Sequence, residues 1–417
     1  MSKLVIEGLR RLKGEIKVQG AKNSILPILA ASIICEDECV IYDCPNISDV
    51  HVTIKVLKHL GCKVSFSDGI ITVNSKNIVK NDIPQSLMRE MRSSIIFLGA
   101  LVSSKKSAKL SLPGGCEIGP RPIDLHLEGL RQLGLKINEK HGFLECESSG
   151  LIGSNIALSF PSVGATENLI LAAVKAKGVT VLTNAAKEPE IMDLISFLNK
   201  CGAKIKYSES GVIAIEGVNK LHGTKHRVIP DRIAAVTYMA CAAVTSGSLV
   251  LKNVVEDNIS SVIPIFEEAG CIIRTFCDNI LTIDSPERPY YNRLIRTMPY
   301  PGFPTDAQAP VMAMTTIADG TSMFVENIFS NRYKHVGELL RLGADIKVED
   351  KVAIVEGVKR LYGAEVSASD LRGAAALIVA GLCAEGITKI SGLNHIDRGY
   401  ENIEKNLSQV GAVIKRV

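Results

Sequence analysis

Tryptophan is absent from the 417 residues, and aromatic residues of all kinds make up only 5%. Surfaces that stack nucleic-acid bases interleave aromatics with basic residues, so a nucleic-acid partner is not expected. Long basic runs are missing as well. The net charge of +4 suits a local anion pocket rather than a basic track. No apolar run reaches membrane-spanning length, and the opening "MSKLVIEG" has no signal-peptide core. The expectation is a soluble, cytoplasmic chain without a membrane partner. No C-x-x-C pair occurs, and the 11 cysteines are odd in number. Free thiols in a reducing compartment are therefore expected, not a disulfide framework. Cys35, Cys39 and Cys44 lack neighbouring histidines, which argues against zinc there; no metal and no cofactor is expected. There is also no low-complexity segment and no long Pro/Gly/Ser linker.

What is present is a repeat. The phrases "HLGCKV", "QLGLKI", "KCGAKI", "EAGCII", "RLGADI" and "QVGAVI" place glycines at 61, 134, 202, 270, 343 and 411. The gaps are 73, 68, 68, 73 and 68 residues, long enough for a whole supersecondary unit. Recurrence of the 73-residue gap suggests a duplicated three-repeat domain. Each glycine ends a helical pattern, where a C-cap belongs. A strand precedes each helix and two short strands follow the glycine, giving a β-β-α-β-α-β cycle. Only six residues follow Gly411, but "VIEGLRRLKG" (5–14) matches "AIEGVNKLHG" (214–223) and "IVEGVKRLYG" (354–363). The N-terminal strands are thus expected to complete the sixth repeat. Residues 22–229 would form one domain, and 1–21 with 230–417 the other, with two crossings near 21 and 229 acting as a hinge.

The repeats share an apolar frame and differ at their helix starts. The first helices open with Lys22-Asn23, Arg92, "SVGAT" (162–166), Arg232, Asp306 and Asp370-Arg372; the second helices include Arg121 and Asp124, Arg332, and Arg398. Helix N-termini offer free N–H groups and a positive dipole end, so a set of them with arginines suits phosphates and carboxylates. The alternative is solvated caps. Asp306, in "PGFPTDAQAP", reads equally as an N-cap or as a general base for a hydroxyl.

Cys116 stands apart from the other cysteines, in "LPGGCEIGPRPIDLH" (112–126). The Gly/Pro loop, about 112–122, disfavours a packed role, and Arg121 nearby would lower the thiol's pKa. The other cysteines sit mostly among apolar residues and read as core. Two further readings stay open on the residues alone: an enzyme acting on RNA ends with a similar repeat, and a non-catalytic repeat scaffold.

Nine stretches carry a resemblance across essentially the whole chain. They are "GAKNSILPIL", "MRSSIIFLGAL", "GGCEIGPRPIDLH", "PSVGATEN", "PDRIAA", "FPTDAQA", "SNRYKHV", "DLRGAAAL" and "HIDRGYENI". In these the sequence resembles the enolpyruvyl transferases, specifically those acting on UDP-N-acetylglucosamine. The loop cysteine separates these from the related shikimate-pathway synthases. The resemblance implies a two-domain inside-out α/β barrel, with helices buried and sheets outside, that closes on substrate. It implies transfer of an enolpyruvyl group from phosphoenolpyruvate to the 3'-hydroxyl of UDP-N-acetylglucosamine, with release of phosphate, at the first committed step towards peptidoglycan. Lys22 and Asn23 match contacts to phosphoenolpyruvate, and Arg121 and Arg398 match further ligands of its anionic groups. Arg92, the run Arg121, Pro122, Ile123, Asp124 and Leu125, then Ser162, Val163, Gly164, Asp306 and Ile328 match the nucleotide-sugar site. Cys116 matches the proton donor of a mobile loop and the target of fosfomycin. Cys116, Asp306, Lys22 and Arg398 are the expected catalytic set. Arg232, Arg332, Asp370 and Arg372 join the binding set through their helix-start positions. The expected partners are the two small substrates, with the chain a monomer or weak homo-oligomer. One departure is the missing tryptophan, since Ile96 falls where some relatives carry that ring.

Overall fold

The computed structural model describes residues 2–112 and 123–417, so Cys116, Arg121 and Pro122 lie outside the described residues. Among the described residues, six four-stranded sheets repeat one plan. The third is representative. Strand Asn155–Ala157 leads into helix Val163–Ala173, and the chain returns as the parallel strand Val179–Thr183. Helix Pro189–Lys200 and the hairpin Lys204–Ser208 with Val212–Glu216 follow. In the sheet, Val212–Glu216 lies between Val179–Thr183 and Lys204–Ser208. Alternation fixes which face turns inward: Ile205, Ile213 and Ile215 are buried while Lys204, Lys206 and Glu216 are exposed. This strand and helix order is the expected cycle, entered one strand later.

The first helices of the repeats are apolar nearly all round. Every residue of Arg232–Val244 is buried, and in Lys22–Ala31 only Asn23 is not. Such helices belong inside a domain rather than on its surface. Their small residues let them pack together: Arg232–Val244, Thr305–Thr315 and Leu371–Cys383 form one trio. Second helices such as Pro189–Lys200 are amphipathic instead, burying Ile191, Leu194 and Leu198 under a sheet. The six repeat glycines all take φ between 87° and 105°, the left-handed conformation that ends a helix. The glycine of the "EG" phrase has another cause. A Cβ on Gly8, Gly217 or Gly357 would fall 2.0, 1.6 or 1.8 Å from a carbonyl oxygen of Ala384, Ala176 or Ala318.

The described residues fall into two compact units, each with its own core. A continuous unit spans 20–229, and a split unit joins 2–19 to 230–417. The N-terminal strands divide between two sheets, which corrects the sequence expectation. Leu4–Glu7 does complete the sixth sheet, between Ile387–Ser391 and Val413–Arg416. Lys13–Lys17, however, pairs in parallel with Ser248–Lys252 and completes the fourth. Lys225–Arg227 does the same for the first sheet, beside Glu38–Tyr42. Sequence kinship identifies a strand but not its partner. At each crossing the edge strand stays in one unit while the helix that follows it belongs to the other.

Candidate active site

In the continuous unit, Lys22 begins its helix and is buried. Its Nζ lies 2.7 Å from Asp49 on helix Ser48–Leu60, a carboxylate that is itself buried. The next turn is fixed by Asp193, which accepts from Ser24 and from the Ile229 N–H and pairs with His226 at 2.8 Å. One carboxylate thereby ties the helix start to the segment where the chain leaves the unit. Arg92 opens a 3-10 turn, Arg92–Ile96, ahead of helix Phe97–Lys105, rather than opening the α-helix itself.

Ser162 caps helix Val163–Ala173 by accepting from the Ala165 N–H at 3.4 Å, and Ser162, Val163 and Gly164 are all half-buried. Ile123, Asp124 and Leu125 begin helix Asp124–Gln132. His126 brings these two starts together. A Cβ on Gly164 would sit 3.1 Å from the His126 ring, so the glycine admits the imidazole. Asn168 donates to His126 Nδ1 at 2.8 Å and to the Ile95 carbonyl, and accepts from the Gly99 N–H. Burial holds His126 down at about 4, against a smaller opposing pull from Asp124. The ring is neutral at pH 7, with its proton on Nε2.

In the split unit, three aspartates stand at three helix starts. Asp231 accepts from the Ile233 and Ala234 N–H groups, and Asp370 from those of Arg372 and Gly373. Both are N-caps. Asp306 is not: Pro304 occupies the cap position, and Asp306 is the second helical residue. Its two carboxylate oxygens meet Arg332 Nη2 and Arg372 Nη2, each at 2.8 Å. The cap reading for Asp306 is therefore wrong. Both arginines are buried, and Asp306 is the more exposed member. Arg332 also donates twice to the Thr305 carbonyl, and Arg372 to the Tyr400 hydroxyl at 3.1 Å. Arg332 and Arg398 precede their second helices instead of opening them, Arg332 in a turn before Val336–Arg341 and Arg398 in the 3-10 turn Ile396–Arg398. Arg232 lies over the Tyr300 ring, 5.6 Å from its centroid.

Several supporting residues were not singled out by the sequence reading. Glu326 is buried and accepts from the Ile328 and Phe329 N–H groups and the Thr305 hydroxyl, joining the Ile328 loop to the helix of Asp306. Gln19 donates to the Gly399 carbonyl at 3.0 Å and accepts from the Glu401 N–H at 2.7 Å, which fixes the chain just after Arg398. Asp49, His126 and Asn168 belong to the same class. A polar residue inside an apolar pattern was the only available signal. Nine of the ten described cysteines are buried, in line with the core reading, but Cys277 is exposed.

The chain matches the family EPSP synthase (3-phosphoshikimate 1-carboxyvinyltransferase) over residues 6–407. A protein of Caldanaerobacter subterraneus subsp. tengcongensis, UDP-N-acetylglucosamine 1-carboxyvinyltransferase 2, is 51% identical, with all of both chains covered. UDP-N-acetylglucosamine 1-carboxyvinyltransferase 1 of Carboxydothermus hydrogenoformans is 48% identical over 100% of this chain and 99% of its own. Among solved structures, the enolpyruvyl transferase NikO from Streptomyces tendae superposes with a TM-score of 0.91 at 23% identity, covering 100% of this chain and 99% of that one. An EPSP synthase from Acinetobacter baumannii gives 0.75 at 19%, with both chains fully covered. At those identities the two structures speak for the fold.

Proposed function

The chain belongs to the EPSP synthase family and, within it, to the UDP-N-acetylglucosamine 1-carboxyvinyltransferases, and from that premise we propose that it moves the enolpyruvyl group of phosphoenolpyruvate onto the 3'-hydroxyl of UDP-N-acetylglucosamine. The reaction is an addition followed by an elimination. The sugar oxygen adds to C2 while C3 takes a proton. Phosphate then leaves C2 as C3 gives a proton back, which restores the double bond. Such a sequence needs an acid for C3, an acceptor near the hydroxyl, and cations around phosphate and carboxylate.

Asp306 carries this reading. An ionised carboxylate has about four lone-pair sites, and the two arginines occupy one on each oxygen. A remaining lone pair accepts from the sugar hydroxyl, and the paired arginines keep the carboxylate aimed. Lys22, Asn23, Arg121 and Arg398 take the anionic groups of phosphoenolpyruvate, with Arg232 and Arg372 adding charge. Arg92, residues 121–125, Ser162–Gly164 and Ile328 hold the nucleotide sugar, and Cys116 delivers the proton to C3. These roles follow from the motif match and the helix-start positions. No helix among the described residues is long and apolar enough to cross a membrane, which fits a cytoplasmic site of action.

The test is phosphate release by the purified chain. Release that requires both substrates supports the reading; no release, or release without the nucleotide sugar, overturns it. Fosfomycin refines the test. Peptide mapping should find its adduct on Cys116, and an adduct confined to the exposed Cys277 would remove the loop thiol from the mechanism.

A further inference from the structure

Three cysteines far apart in the chain meet inside the continuous unit. Cys35 follows the 3-10 turn Ser32–Ile34, Cys39 lies in strand Glu38–Tyr42, and Cys201 ends helix Pro189–Lys200. Their sulfurs all lie within 4.8 Å of one another, and none of the three residues has measurable exposure. A centre with bonds of about 2.3 Å to sulfur holds three sulfurs roughly 4 Å apart, so small side-chain adjustments close the site. Among the described residues no histidine or carboxylate joins the group.

That donor set selects by valence. Zinc takes four ligands in a structural site, and three thiolates around Zn(II) leave one position open and one negative charge buried. Cys201 sits at a helix C-terminus, where the dipole further disfavours negative charge. A trivalent centre bound by three thiolates is neutral, and its lone pair fills the fourth direction. Neutrality decides the matter in an apolar core, where an uncompensated charge is costly. Soft thiolate donors favour the same elements. We propose that Cys35, Cys39 and Cys201 form a three-sulfur site for trivalent arsenic or antimony, separate from the catalytic residues. For arsenite the step is As(OH)3 plus three thiols giving As(SR)3 plus three waters. Three As–O bonds break and three As–S bonds form, each thiol proton leaves with a hydroxide, and arsenic stays trivalent.

The experiment incubates the phosphine-reduced full chain with inorganic arsenite. Native mass spectrometry should show one arsenic gained and three hydrogens lost, and X-ray absorption should show three sulfur neighbours. Cys35→Ser, Cys39→Ser and Cys201→Ser should each abolish the three-sulfur complex, while Cys62→Ser keeps it. Should a variant fail to fold, the wild-type chain still decides. Prolonged alkylation of the native protein should then slow about tenfold or more at these three thiols alone when arsenite is present. No adduct, a shell of fewer than three sulfurs, protection of other cysteines instead, or stoichiometric zinc held at the same residues would overturn the proposal.

Discussion

Asp231 and Asp370 begin two helices of the split unit in the same way, and Asp306 begins the helix between them differently. The first two sit one residue before their helices and give their carboxylates to backbone N–H groups. Asp306 sits two residues later relative to its helix, behind Pro304, and reaches two buried arginines instead. One repeat frame therefore yields either a structural cap or a carboxylate held by two arginines, according to register. The continuous unit inverts the charges: there a cation, Lys22, begins the helix and one buried acid, Asp49, answers it.

The comparison breaks most visibly at Asp306. Asp306→Asn should lower kcat by roughly 10²–10⁴-fold, as expected for loss of an acid–base group, and unfold only modestly earlier. A kcat within a few fold of wild type would return Asp306 to a purely structural role. Asp49→Ala should act on folding instead. It breaks a buried ion pair and should cost about 3–5 kcal/mol, read from denaturant midpoints. Next comes pH. Folded His126 stays neutral down to about 4, whereas the unfolded chain takes up its proton near 6.5. The folded state thus binds fewer protons across that window. Its contribution, about 3 kcal/mol, is fully present above pH 6.5 and is lost as pH falls towards 4. His126→Gln should flatten the stability profile there. The smallest effect sharpens the capping half of the comparison. Asp231→Ala should cost about 0.5–2 kcal/mol while Asp231→Asn costs almost nothing, because asparagine caps as well as aspartate. Equal losses in both variants would mean that the charge, not the cap, matters.

The repeat frame was legible in the sequence because it is periodic. Gly61 and its five counterparts mark helix ends, and all six adopt the conformation that the reading required. Asp306, Arg332 and Arg372 were each legible as charges near helix starts. Their mutual contact was not, since nothing in a sequence pairs residues 26 and 66 positions apart. Gln19 and Glu326 escaped for a related reason: Gln19 works through backbone groups at Gly399 and Glu401, far along the chain, and Glu326 ties its own loop to the Thr305 hydroxyl. The destination of strand Lys13–Lys17 was hidden too, because its pairing crosses from one end of the chain to residue 248. Cys201 joins Cys35 and Cys39 in the same invisible way.

The most direct measurement of the central claim follows the reaction in heavy water with phosphoenolpyruvate labelled at C3. Carbon and proton spectra of the product should show an enol ether joined to the sugar. Deuterium should appear at its C3, and one phosphate should be released per product. Deuterium appears because C3 is protonated in the addition and deprotonated in the elimination. A product formed without any deuterium at C3, or phosphate released with no sugar-linked enol ether, would contradict the account.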